Sequence, residues 1–280
     1  MSLEEYQGAG ATIRATILSR VEKMKLGEGV LNDGAEVKPA GESGLGVFAT
    51  RRLVAGHVLL MERPLVFGML PKFSNYCCRW CLNVDLSRAD PLEEKCAMCS
   101  LRWCSKACRS EDARHDDRCA VEARLVALRP RLAAAKTPQE EVAFLEAVSL
   151  LACLDEEFEF ACGKEKTAVD ASLVRELSGR NLSDERVEKL AGMESCNSMS
   201  ITNQTPMGAL SVGRAIFRLG SRFNHSCWPN VCRVRNGSVM KFVVVRPVNK
   251  GDELCISYVP PRLANKVKSS VCLKIRIHSH

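Results

Sequence analysis

Residues 222–230 read "RFNHSCWPN", an amide, an imidazole, a thiol, an indole and a proline crowded between two apolar runs. A core strand is expected at such a place, and polar groups taken out of water need partners. The sequence downstream keeps a period of two. "VCRVRNGSVMKFVVVRPV", residues 231–248, alternates around Asn236-Gly237, a pair that tolerates the positive φ of a type I′ turn and so predicts a two-stranded hairpin. "KGDELCISYV", residues 250–259, then predicts a turn and one further strand.

Upstream, residues 35–70 carry apolar runs punctuated by glycine, including "SGLGVF", and predict short strands joined by turns. Residues 77–119 are rich in cysteine and poor in core residues, a stretch that needs a staple to fold. Residues 120–195 read as helical. Thr137, Pro138 and Glu140 form a capping signal ahead of Val142, Leu145, Val148, Leu151 and Leu154, and Ser183 with Asp184 and Glu185 opens a second helix. Strands, cysteine module, helices and strands again imply a β-rich core carrying two insertions.

At 280 residues and 46% hydrophobic content the chain can bury a sizeable core. It holds no apolar run long enough to span a bilayer and no secretory signal, so neither membrane insertion nor secretion is expected. "ATIRATILSRVEKMK" near the N-terminus is amphipathic and basic, but Glu4 and Glu5 precede it; a docked helix is expected rather than a transit peptide. The formal charge of +7 is concentrated late: Arg262, Lys266, Lys268, Lys274 and Arg276 lie beyond residue 260, where there is no acid. The body is close to neutral, and direct sequence-specific nucleic-acid binding is not expected.

Fifteen cysteines without a secretory signal point to metal. Their spacing is Cys78-x2-Cys81, Cys96-x2-Cys99, Cys104-x3-Cys108 and His115-x3-Cys119. Two-residue spacers form knuckles that aim both sulfurs at one ion, and three-residue spacers put ligands on one face of a helical turn. Adjacent pairs can share an ion, but interleaving stitches the segment together better. That assigns Cys78, Cys81, Cys104 and Cys108 to one zinc and Cys96, Cys99, His115 and Cys119 to the other, with Cys77 left over. Four protein ligands per ion mark structural zinc with no open position. Residues 78–119 carry eight Lys plus Arg against eight Asp plus Glu, which favours a protein partner over phosphates.

The order of these ligands, with "WCSKAC" in the middle, resembles a MYND zinc finger; that family usually has a Trp where this chain has Asp112. "SGLGVF", "CNSMSI", "NHSCWPN" and "GDELCISY", in this order and around a cysteine module, resemble a SET domain, and the composite is similar to the SET and MYND domain family of protein-lysine methyltransferases. The resemblance implies an α+β fold: a β-rich SET core of threaded, β-clip-like form, with an inserted MYND finger and an inserted helical region. The implied boundaries are an N-terminal helix or extension at 1–34, the first part of SET at 35–76, MYND at 77–119, a helical insertion at 120–195, the SET C-terminal core at 196–262 and an atypical basic tail at 263–280.

It implies further that S-adenosylmethionine is held by Gly44, Leu45 and Gly46, by Asn197, and by Asn224, His225 and Tyr258, with Tyr258 the catalytic hydroxyl that orients a lysine ε-amine. The expected substrate is a histone or another protein, the chain a monomer of nucleus or cytoplasm, and the MYND module a docking site for a protein partner. The family closes its lysine channel with three post-SET cysteines that join the cysteine of NHSC on a third zinc. Here only Cys272 follows, so Cys227 is expected to be a free thiol in an incomplete third site, and a truncated or alternatively spliced chain is expected. A non-catalytic adaptor is the alternative.

Overall fold

The computed structural model describes residues 29–113, 115–133, 170–205 and 208–258. The amphipathic stretch at 11–25, the capping signal at Thr137 and the basic tail lie outside them. The chain divides into two compact units, one from residues up to Arg63 and from Arg222 onward, the other Pro64–Ser221.

In the first unit β1 (Ala35–Pro39) pairs antiparallel with β2 (Leu45–Ala49), from Ala35 against Ala49 to Pro39 against Leu45. Residues 29–34, the described end of the N-terminal helix or extension, turn and bridge from Leu31 to Leu60. A three-stranded antiparallel sheet places β10 (Val239–Val244) between β3 (Val58–Glu62) and β9 (Val231–Asn236). Being central, β10 is buried on both faces, and Phe242 stacks on Phe223 with centroids 4.6 Å apart.

The β9–β10 hairpin forms where the sequence put it, but the turn differs. Asn236 pairs with Val239, so Gly237-Ser238 occupy the centre, and Gly237 alone has positive φ (59°). Glycine first with positive φ is the II′ pattern rather than I′, because Asn236 is retained by the ladder.

The strand expected at 250–259 is not a continuous one. Leu254 N–H donates to Val47 O at 2.7 Å, whereas Ile256 N–H donates to Asn224 O at 3.0 Å, and Ser226 and Val231 N–H return to Ile256 O and Cys255 O. The segment changes partner midway, from β2 to the 224–231 loop, leaving isolated bridges Phe48–Glu253 and His225–Ile256 in place of a ladder.

In the second unit β8 (Gly208–Ile216) lies between β4 (Val66–Met69) and β7 (Ser198–Thr205). Two short strands, β5 (Glu94–Lys95) and β6 (Arg102–Trp103), precede α1 (Lys106–Glu111) and α2 (His115–Ala133). Helices α3 (Ala171–Ser178) and α4 (Asp184–Asn197) follow. Ser183 caps α4 by accepting from Arg186 N–H, as its sequence signal predicts. Val121, Leu125 and Leu128 of α2 pack with Leu173 and Leu177 of α3 and Val187 and Leu190 of α4, each set at helical spacing. No helix among the described residues is long and apolar enough to cross a membrane.

Candidate active site and metal centres

The polar loop is held to residues 252–258 by side chains standing in for the absent ladder. Asn230 is 6% exposed; its Nδ2 donates to Glu253 O at 2.8 Å, and its Oδ1 accepts from Cys255 N–H at 2.8 Å. One amide thus satisfies a carbonyl and an N–H on the same segment, as a strand neighbour would. Asn224 Nδ2 donates to Glu253 Oε1 at 2.7 Å and reaches Leu45 O at 3.3 Å. Gly46 is the residue that allows this: a Cβ there would stand 2.7 Å from Glu253 Oε1 and 3.0 Å from Asn224 Nδ2.

Tyr258 N–H donates to His225 Nδ1 at 3.0 Å, the two rings lie 5.2 Å apart, and Tyr258 Oη donates to Phe223 O at 3.1 Å. Since Nδ1 accepts, the neutral imidazole carries its proton on Nε2, which lies 3.3 Å from Cys227 Sγ. Burial pushes the His225 imidazole below its ordinary 6.5, consistent with that neutral form. Asn224, His225 and Tyr258 are therefore brought together, with the Leu45-Gly46 turn beside Asn224. Gly44, with φ of 76°, opens that turn, and nothing stands within 4 Å of where its Cβ would be.

Asn197 belongs to the other unit. It is 4% exposed at the end of α4, and its Nδ2 donates to Met193 O at 2.7 Å. Cys227 is disulfide-bonded, so the free thiol expected there is not found. Among the described residues, Cys227 joins no group of ligand atoms able to hold an ion.

Two such groups do form. Cys78, Cys81, Cys104 and Cys108 make one quartet and Cys96, Cys99, His115 and Cys119 the other, each with its ligand atoms within 4.8 Å of one another. The two CxxC loops repeat one geometry. Leu82 and Ser100, each directly after the second cysteine, have φ of 57° and 61°, and among the described residues they alone of non-glycines are left-handed. Leu82 N–H returns to Cys78 O and Ser100 N–H to Cys96 O. A side chain held in this region costs about 1–2 kcal/mol, which tight sites sustain.

Four thiols this close cannot all ionise without a cation. A hydrogen bond from Cys81 lowers Cys78 to about 5 and raises Cys81 in turn. In the second quartet burial, which raises a thiol, is outweighed at Cys96 by N–H groups and thiols around it, to about 6. Burial raises Cys99 and Cys119, as it raises Cys108 of the first quartet to about 11. A divalent ion removes that conflict, and sulfur with imidazole suits zinc.

The surrounding residues brace these groups. His115 faces Cys99 Sγ with Nε2 at 3.4 Å and Asp116 Oδ1 with Nδ1 at 3.4 Å, the outer carboxylate that fixes a ligating tautomer. Asp112, where the resemblance expects Trp, accepts from the indole of fully buried Trp103 at 3.0 Å. Trp103 meets His115 edge-on at 5.0 Å. Arg79, next to Cys78, donates to Phe67 O at 3.2 Å and pairs with buried Glu122 at 3.9 Å, while Asn203 donates to Leu82 O at 3.4 Å; both ends of the first knuckle are fastened. Cys77 stays outside both quartets.

Asn230, Glu253 and Asp112 are the residues that reading the sequence left without a task. Asn230 and Glu253 do stand in the quoted motifs, but their partners lie 23 to 29 residues away, and nothing local names them.

A SET domain family model matches residues 44–259, and the chain belongs to that family. It is 25% identical to the histone-lysine N-methyltransferase ASHR2 of Arabidopsis thaliana, over 82% of this chain and 68% of that protein. It is 50% identical to a SET and MYND domain-containing protein of Dictyostelium discoideum over 48 residues, 17% of this chain and 12% of the relative. Thus the match spans about an eighth of that relative's length. The crystal structure of the SET domain of LSMT bound to lysine and AdoHcy aligns over 94% of this chain and 57% of that one at 12% identity and a TM-score of 0.35, and nothing below rests on it.

Proposed function

We propose that this chain transfers a methyl group from S-adenosylmethionine to a lysine ε-amine of a protein, histone or other, and that residues 77–119 form a MYND finger holding two structural zinc ions and docking a protein partner. What carries the reading is the convergence of Asn224, His225 and Tyr258 on one polar loop in a chain of the SET family, whose relative ASHR2 is named a histone-lysine N-methyltransferase. The residues suit such a cofactor: bare backbone at Gly44, an amide, a neutral imidazole and a phenol are the convergent polar groups a nucleoside and amino-acid ligand needs.

When bound, S-adenosylmethionine supplies a sulfonium methyl open to in-line attack by an amine. Tyr258 does the orienting. Its hydroxyl donates to Phe223 O, and a phenol oxygen that donates is also an acceptor, the role that would take a proton of the lysine amine and fix the direction of that nitrogen's own lone pair. His225 holds the Tyr258 backbone through Nδ1, and so sets where the phenol stands.

The test is calorimetric titration with S-adenosylhomocysteine, followed by labelled methyl incorporation into histones and cell extract. Binding with incorporation is expected. Tyr258→Phe is expected to keep affinity within about threefold and lose about tenfold or more in rate. A wild-type chain that binds neither cofactor nor product would leave the adaptor reading, and a fully active Tyr258→Phe would remove the phenol from the chemistry.

A further inference from the structure

Glu253 has no part in the mechanism above, yet its carboxylate lies against the Asn224 amide. Asn224 Nδ2 has two acceptors before it, Glu253 Oε1 at 2.7 Å and Leu45 O at 3.3 Å. A carboxylate and a carbonyl can only accept, so the end of the amide turned toward them must be nitrogen, and its two hydrogens match two acceptors. The backbone that carries Glu253 is fixed. Its own carbonyl is held by Asn230, the residue bridges Phe48, and Leu254 N–H is bonded to Val47 O. Gly46 leaves room for the pair, since a Cβ there would stand 2.7 Å from Glu253 Oε1 and 3.0 Å from Asn224 Nδ2.

We propose that Glu253 is a positioning residue that locks the Asn224 amide with its nitrogen inward, so that Asn224 meets the cofactor through Oδ1 alone and serves as an acceptor for one of the cofactor's hydrogen-bond donors. This rests on the S-adenosylmethionine reading of the site. It adds a direction to the contact: an amide free to rotate accepts or donates as the ligand requires, whereas this one rejects an acceptor such as a carboxylate. The negative charge behind the amide also polarises Oδ1, strengthening it toward a donor.

The test is a cycle of calorimetric titrations of S-adenosylhomocysteine into the full chain. Glu253→Gln, nearly isosteric, weakens the lock and is expected to weaken binding about tenfold, the scale of a hydrogen bond to a charged group. Asn224→Asp sets two carboxylates face to face and is expected to weaken it further. In the double variant Asn224→Asp with Glu253→Gln, the introduced amide donates to the introduced carboxylate and an oxygen still faces the ligand, so binding tighter than that of Asn224→Asp alone is expected. A role confined to stability predicts no such rescue. Glu253→Gln within twofold of wild type, or a double variant no tighter than Asn224→Asp, overturns the lock. If Glu253→Gln does not fold, as read by circular dichroism, the comparison of Asn224→Asp with the double variant decides. Failure of the wild-type chain itself to bind overturns the cofactor reading and the lock with it, which distinguishes the two failures.

Discussion

Replacing Asn230 by alanine removes, with a single change, two of the bonds that tie the polar loop to residues 252–258. The amide makes two hydrogen bonds of 2.8 Å at a site 6% exposed. Its removal leaves Glu253 O and Cys255 N–H without those partners, each at a cost of about 1–3 kcal/mol. The expected loss is about 2–5 kcal/mol, a large fraction of the roughly 5–15 kcal/mol that keeps a domain folded. At a urea slope of about 2 kcal/mol per molar, this moves the unfolding midpoint down by about 1–2.5 M. Trp228 is the one tryptophan of its unit, is exposed, and has its carbonyl held by Arg246 at 3.0 Å; its fluorescence reports on this region. Asn230→Asp sharpens the comparison. Its carboxylate still accepts from Cys255 N–H but cannot donate to Glu253 O, so it is expected to be destabilised as well. A midpoint shift of less than about 0.3 M for Asn230→Ala refutes the account of this amide as a substitute strand neighbour.

Two further outcomes are expected. The purified chain should carry two zinc ions by atomic absorption, and Cys78→Ser should carry about one, since each quartet gathers separately and apparent zinc binding free energies of about 10–16 kcal/mol are tied to folding of such modules; a wild-type chain with no zinc contradicts the assignment. For His225 the folded state holds the imidazole below 6.5 through burial, so below pH 6.5 the unfolded chain binds the extra proton first. Its contribution to stability is complete above pH 6.5 and is lost as pH falls from there through the lowered folded value. The urea midpoint should therefore drop between pH 7 and pH 5.5, with a shallower drop in His225→Gln; equal slopes in the two proteins refute it.

Which parts of this were legible in the sequence follows from how local each signal is. The eight ligand atoms gather in the folded chain as their spacing groups them, because CxxC knuckles and i, i+4 pairs fix geometry within one turn of chain. Ser183 was legible as a cap for the same reason. The hairpin forms at Asn236-Gly237 as the sequence predicts, but its turn is centred one residue later, since register is a property of two strands and not of a dipeptide. The alternation of residues 250–259 predicts a strand. What alternation could not show is that its neighbours change midway, from Val47 to Asn224. Glu253 and Asn230 were invisible as functional residues because each acts across more than twenty positions of sequence. The Asp112 departure from the finger pattern likewise had no reading until Trp103 was seen to donate to it.

The crowding of polar groups at 222–230 also has a structural cause. The 252–258 segment carries Tyr258 but has only isolated bridges on either side of it, and a segment without a ladder needs other partners for its N–H and C=O groups. Asn230 supplies two, Asn224 ties in the Glu253 side chain, and His225 takes the last N–H, that of Tyr258 itself. The placement of the phenol thus depends on three side chains of one loop together with scattered backbone bonds, rather than on one continuous ladder. A strand spreads the loss of any one contact over its neighbours, whereas here fewer neighbours share it. It follows that substitutions in this loop should disturb the position of Tyr258 well before they unfold the β3–β10–β9 sheet, whose ladders do not include it.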